Sequence, residues 1–138
     1  MLPVMEPQPR VLVVDDDDSI RNLLITLLRR KAMLCDGASD GEQAVALIEK
    51  QQYSLILLDL MMPKMDGFQV IRELRTRGNT TPIVVVTAAG QARVNTLDPN
   101  QVKAVLSKPF EIAQLVDTVL SFCADAPAGN SLAAGDPG

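Results

Sequence analysis

Five short apolar runs, four of them followed by a segment of helical spacing, constrain this chain more than any other feature. Residues 10–14 (RVLVV), 54–60 (SLILLDL) and 82–88 (PIVVVTA) are apolar until their last positions, as strands buried on both faces must be. A weaker run near 32–37 and VKAVL at 102–106 complete the set. Between them, Ile20, Leu23, Leu24, Leu27 and Leu28 recur at helical spacing, with Arg29, Arg30 and Lys31 in the last turn. Residues 39–42 (SDGE) read as a capping box ahead of Ala44, Val45, Leu47 and Ile48. Phe68, Val70, Ile71 and Leu74 mark a third helix that begins near Asp66. A short polar helix within 90–97 is stopped by Asp98-Pro99. The last helix, 111–123, turns Ile112, Leu115, Val116, Val119 and Leu120 inward. Strands alternating with helices predict an α/β fold: a parallel five-stranded sheet, doubly wound, with helices on both faces. Right-handed crossovers leave few topologies for it.

A chain of 138 residues has the length of one domain, and 47% hydrophobic residues suffice for a core. The domain is expected to span residues 9–123. Residues 1–8 read as a flexible segment, and 124–138 (ADAPAGNSLAAGDPG) as a disordered tail with almost nothing to bury. A net charge of −4 argues against holding nucleic acid through its phosphates. No apolar run reaches the length of a membrane span, and MLPVMEPQPR lacks the apolar stretch of a signal peptide. A cytoplasmic protein, without membrane insertion, is expected. Cys35 and Cys123 lie among apolar residues and read as small buried hydrophobes rather than a disulfide framework. Histidine is absent, which excludes histidine-based acid–base and nucleophilic chemistry and most zinc sites. Any phosphohistidine would belong to a partner.

The stretch VLVVDDDDSI (11–20) stacks four aspartates where the first strand leaves its core. Two carboxylates about 4 Å apart repel by roughly 4 kcal/mol at an effective dielectric near 20. Solvation, a helix N-terminus or a cation can relieve this. Ligands of an open parallel sheet sit beyond the carboxyl ends of its strands. Asp15 and Asp16 follow the first strand, Asp59 ends the third, Thr87 the fourth, and Lys108 follows the fifth. Each has an ordinary reading: acids cap the next helix, a threonine is a strand residue, Lys108-Pro109 is a turn. Together they are chemically coherent. Three acids offer an all-oxygen site for a hard cation such as Mg²⁺, with Mn²⁺ the alternative. Asp17 and Asp18 read as caps of the first helix. Lys108 and Thr87 can face an anion held there, an arrangement suited to accepting a phosphoryl group.

The pieces VLVVDDD with Ile20-Arg21, ASDGEQA (38–44), DLMMPKMDGF (59–68), PIVVVTA (82–88) and SKPF (107–110) resemble the receiver domain of two-component response regulators. That resemblance implies a flavodoxin-like strand order 2-1-3-4-5. It makes Asp59 the phosphoacceptor, Asp15 and Asp16 the acidic pair for Mg²⁺, and the backbone carbonyl of Met61 a further ligand. Thr87 matches the switch hydroxyl and Lys108 the lysine that pairs with the phosphoryl group. Pro63 and Asp66-Gly67 would shape the loop after the acceptor strand, and the Lys108-Pro109 peptide would be cis. Two departures stand out. Receivers commonly carry Tyr or Phe three residues before the lysine, where this chain has Val105. The segment between Thr87 and Lys108 is also polar and interrupted by Pro99.

The expected function is that of a stand-alone receiver, monomeric or weakly dimeric. It would take a phosphoryl group from a histidine kinase or His-containing phosphotransfer protein, hydrolyse it, and signal to a downstream protein. It is not an enzyme in the ordinary sense, since it acts on itself. A phosphohydrolase would usually show a D-x-D nucleophile and a cap, and a nucleotide binder a glycine in the first βα turn. A receiver-like module that binds partners without phosphorylation is the remaining alternative. Met61 and Ala89, two residues beyond Asp59 and Thr87, cannot orient a water through their side chains, which implies slow loss of the phosphoryl group.

Overall fold

The computed structural model describes residues 8–88 and 90–125. Five strands, β1 (Arg10–Val14), β2 (Leu34–Ala38), β3 (Leu55–Leu58), β4 (Ile83–Thr87) and β5 (Val102–Ser107), form one sheet of order β2-β1-β3-β4-β5. All neighbours are parallel. The helices are α1 (Asp18–Arg30), α2 (Gly41–Lys50), α3 (Gly67–Thr76), the one-turn α4 (Gln91–Val94) and α5 (Ile112–Asp125). The doubly wound α/β architecture and its strand order are as expected.

Strand periodicity sorts the core into two layers. Leu12, Val14, Ile56, Leu58, Ile83 and Val85 face one side, where Ala44 of α2 and Val70, Ile71 and Leu74 of α3 cover them. Val11, Val13, Leu55, Leu57, Val84 and Val86 face the other, against Leu24 and Leu28 of α1 and Leu115 and Val119 of α5. Cys35 and Cys123 are free thiols buried in this second layer, where burial pushes each up to about 11. Among the described residues no helix is long and apolar enough to cross a membrane.

Helix starts follow side-chain chemistry with one shift. Asp17 caps α1 by accepting from the Ile20 N–H, and Asp66 forms a reciprocal capping box with Gln69 on α3. On α2 the cap is Asp40, accepting from Gln43, rather than the expected Ser39; the Gln43 side chain instead accepts from the Ser39 N–H. The shift places Gly41 in the first turn, where its N–H donates to the Met65 carbonyl at 3.1 Å. Ile112, expected inward, is exposed, as is Leu23 of the α1 stripe. Ile112 lies in the first turn of α5, and Phe110 just before the helix packs on the core instead. The expected segments 1–8 and 124–138 fall almost wholly outside the described residues, apart from Gln8, which donates to the Ala32 carbonyl, and the end of α5.

Two glycines fix the loop that leaves β3. A Cβ on Gly67 would lie 2.6 Å from the Asp59 carbonyl oxygen, and one on Gly41 would lie 2.2 Å from that of Met65. The neighbours are backbone atoms with no room to yield. Gly67→Ala and Gly41→Ala should therefore each destabilise by about 1–3 kcal/mol in urea unfolding. Gly90→Ala, with nothing within 4 Å of the new Cβ, should stay within about 0.5 kcal/mol of the parent. Equal effects at all three positions would refute the close-packing account.

Candidate functional site

The sheet delivers its polar residues to one edge. Asp15 extends β1 by one residue, its N–H bonded to the Ala38 carbonyl, and Asp59 extends β3 with its N–H on the Val14 carbonyl. Both are buried, Asp15 at 3% and Asp59 at 4% exposure. Each carboxylate divides its two oxygens in the same way. Oδ1 of Asp15 accepts from the Asp17 N–H at 2.9 Å, and Oδ1 of Asp59 accepts from the Met61 N–H at 3.0 Å. These two-residue links fix each carboxylate to its own loop. Oδ2 of each receives Lys108 Nζ, at 3.1 Å and 3.0 Å. Arg21 secures the turn from within α1, donating to the Asp15 carbonyl at 2.8 Å while pairing with Asp18.

Asp16 is exposed, yet one carboxylate oxygen from each of Asp15, Asp16 and Asp59 falls within 4.8 Å of the others. Those donors are hard and anionic, and the residues fit a hard divalent cation. Burial pushes the Asp59 carboxyl above the usual carboxylate range, outweighing the Met61 N–H and Lys108, which act the other way. For Lys108, burial pulls downward, but its bonds to Asp59 and Asp15 outweigh that and raise it overall. The lysine is thus held firmly as a cation.

Thr87 ends β4 at 1% exposure, and its carbonyl accepts the Lys108 N–H at 2.9 Å. The Lys108-Pro109 peptide is cis. Asp15, Asp16, Asp59, Thr87 and Lys108 thus converge at one sheet edge, whereas Asp17 and Asp18 serve α1. Met61 exposes its side chain, and Val105 is 36% exposed on edge strand β5. Ala89 lies outside the described residues. An open cleft of about 350 Å³ borders the cluster at Asp16, lined by Asp16, Met61, Pro63, Asp66 and Arg93 among others. Sequence reasoning passed over Arg93, a single arginine in a polar stretch, because only its tertiary position distinguishes it.

Comparison with known proteins identifies a family for this chain. The model of the response regulator receiver domain matches residues 11–120. The transcriptional regulatory protein SrrA of Staphylococcus aureus is 46% identical over 81 residues, 59% of this chain and 33% of that protein, so the matched stretch is about a third of its length. Among solved structures, the receiver domain of Francisella response regulator 1452 is similar at 30% identity with a TM-score of 0.78, covering 86% of this chain and 98% of that one. Response regulator TrrA of Thermotoga maritima, solved with Mg²⁺ and BeF, is 30% identical with a TM-score of 0.73, over 83% of this chain and 99% of that one. With a family match over most of its length and the acids, threonine and lysine converging at one edge, this chain belongs to the response regulator receiver domain family.

Proposed function

We propose that this receiver takes a phosphoryl group on Asp59 in a Mg²⁺-dependent reaction and signals to a protein partner. The observation that carries this reading is Lys108 Nζ bridging Asp15 and Asp59 beside a third carboxylate, Asp16. Asp15, Asp16 and Asp59, with the Met61 carbonyl, would hold the cation, which when bound supplies charge neutralisation for phosphoryl transfer. Asp59, kept in place by the Met61 N–H, attacks phosphorus through a carboxylate oxygen. The bond from phosphorus to the donor breaks, and the leaving group departs with its electron pair. Lys108 turns from the carboxylates to the phosphoryl oxygens, and the Thr87 hydroxyl donates to them. The chain has no histidine, so a phosphohistidine donor belongs to a histidine kinase or a His-containing phosphotransfer protein. We place the reaction in the cytoplasm, with no nucleic acid contacted. The modification replaces a carboxylate of −1 with a phosphoryl group of about −1.5 to −2 charge and three acceptor oxygens at a buried edge, enough to bias a two-state element nearby. Val105, exposed where receivers commonly carry an aromatic, favours a second reading in which the domain binds partners without phosphorylation-driven switching.

Incubation with acetyl phosphate and Mg²⁺ should raise the intact mass by one phosphoryl group, and Asp59→Asn should abolish the gain. Undiminished labelling of that variant would refute the acceptor assignment. Mg²⁺ should raise the melting temperature, because it binds the folded carboxylate cluster and not the unfolded chain. Asp16→Ala should lose most of that rise; a full shift in the variant would place the cation elsewhere. Lys108→Ala should keep the fold but shrink the beryllofluoride-induced change in amide NMR spectra. A response equal to that of the parent would remove the lysine from the mechanism, and a parent with no response would favour the second reading.

A further inference from the structure

The phosphoryl-transfer reading leaves one cation at the cleft unused. Arg93, on α4, lines the same cleft as Asp16 and Met61. Its guanidinium carbon lies 4.5 Å from the centroid of the Phe68 ring, and Nη1 lies 3.9 Å from the Met61 sulfur. Both partners are uncharged, and Arg93 makes no ion pair among the described residues. Lys108, by contrast, is already held by two carboxylates.

We propose that Arg93 is a positioning residue that captures the anionic phosphoryl group of an incoming donor at the cleft mouth. This rests on the reading of Asp59 as acceptor. A divalent cation held by Asp15, Asp16 and Asp59, with Lys108 beside them, leaves the carboxylate cluster near neutral. The cleft next to it is lined by two acids, Asp16 and Asp66, and a single cation, Arg93. Arg93 is therefore the lining group able to draw in an anionic donor. A guanidinium offers a planar fork of N–H groups that matches two phosphoryl oxygens. Its present contacts, a ring face and a thioether, are weaker than a charge-assisted hydrogen bond and are exchanged for one without stranding a buried charge. Phe68 follows the capped start of α3, so the ring parks the guanidinium at the cleft rather than leaving it in bulk solvent. Arg93 bonds to nothing that forms or breaks. It acts on where the donor sits.

The test is the initial rate of phosphorylation by acetyl phosphate, read by intact mass across donor concentrations in Mg²⁺. Arg93→Ala should raise the donor concentration for half-maximal rate by about two- to fivefold, the size expected of one exposed charge, with the maximal rate nearly unchanged. Arg93→Lys should recover most of the loss, and Arg93→Glu should deepen it. In about 1 M NaCl, where the screening length falls to about 3 Å, the parent should lose its advantage over Arg93→Ala. An unchanged half-saturation in both Arg93→Ala and Arg93→Glu would overturn the proposal and leave Arg93 as a brace between α3 and α4. Faster labelling of Arg93→Ala would also overturn it, making the side chain a barrier. A parent that takes up no phosphoryl group would overturn the acceptor reading and this one with it. A labelled parent with indifferent Arg93 variants would overturn the capture role alone.

Discussion

A single ammonium group ties together the ends of three strands. Lys108 follows β5, yet its Nζ reaches Asp15 beyond β1 and Asp59 beyond β3, 93 and 49 residues away in sequence. The two acids are almost fully buried, and without a cation between them their repulsion would fall on the backbone of the sheet edge. Everything that sets strand register serves this contact. Val14 pairs with Leu58, Leu58 with Val85, and Thr87 with Ser107, which brings the carboxyl ends of four strands level. A slip of one residue in any pair would turn its core side chains to the opposite face and take the polar residue out of reach. The hydrophobic layers therefore position the charges, and the charges add little to folding by themselves. Removing one partner of such a buried pair costs more than the pair contributes, since the remaining charge stays buried.

The site was legible in the sequence because parallel sheets put their carboxyl ends together, so residues distant in sequence meet wherever apolar runs end. Asp15, Asp59, Thr87 and Lys108 could be placed at one edge from strand ends alone. The order of the strands could not, since alternation does not say which strand is central; it came from resemblance to a family. Features set by tertiary contact escaped. The α2 cap falls on Asp40 because Gly41 must approach the Met65 carbonyl, and nothing local in residues 39–42 reports on Met65. Ile112 fits the helical stripe but lies ahead of the point where α5 meets the sheet, and Phe110 has taken its place. Arg93 belongs to no period or motif. Its position depends on Phe68 and Met61, more than twenty residues earlier.

Val105 changes where a conformational response can reside. The backbone connection from site to edge strand is intact: Lys108 bonds Thr87, and the β4–β5 ladder runs through Val85 and Val105. What valine lacks is a ring to swing in or out, and branching at Cβ restricts its χ1. The neighbouring α4 has only one turn, and turn-type bonds from Gly90 to Leu97 hold the segment around it. A short element with few backbone bonds opens at lower cost than a long packed helix. In this receiver the two-state element is accordingly better sought in α4 than in β5.

Charge arithmetic explains why such an element would respond to chemistry at Asp59. The three carboxylates and Lys108 leave two negative charges uncompensated, which one divalent cation neutralises. The proposed phosphorylation would disturb that balance, since a phosphoryl group of about −1.5 to −2 charge with three acceptor oxygens replaces a carboxylate of −1, a net gain of at most about one negative charge. Lys108 cannot serve both Asp15 and the new group at its present distances, so one of its bonds must lengthen. Donors proposed to answer the remaining charge include the Thr87 hydroxyl at the end of β4 and the Arg93 guanidinium on α4. Both lie on the same side of the sheet edge in sequence order, between Asp59 and Lys108, and a pull on either acts on the connection that joins β4 to β5. Asp59, the proposed acceptor, is held by burial in the sheet, whereas Thr87 and Arg93 lie at a strand end and on a one-turn helix. In the proposed mechanism, that difference in stiffness would direct the response outward from the core.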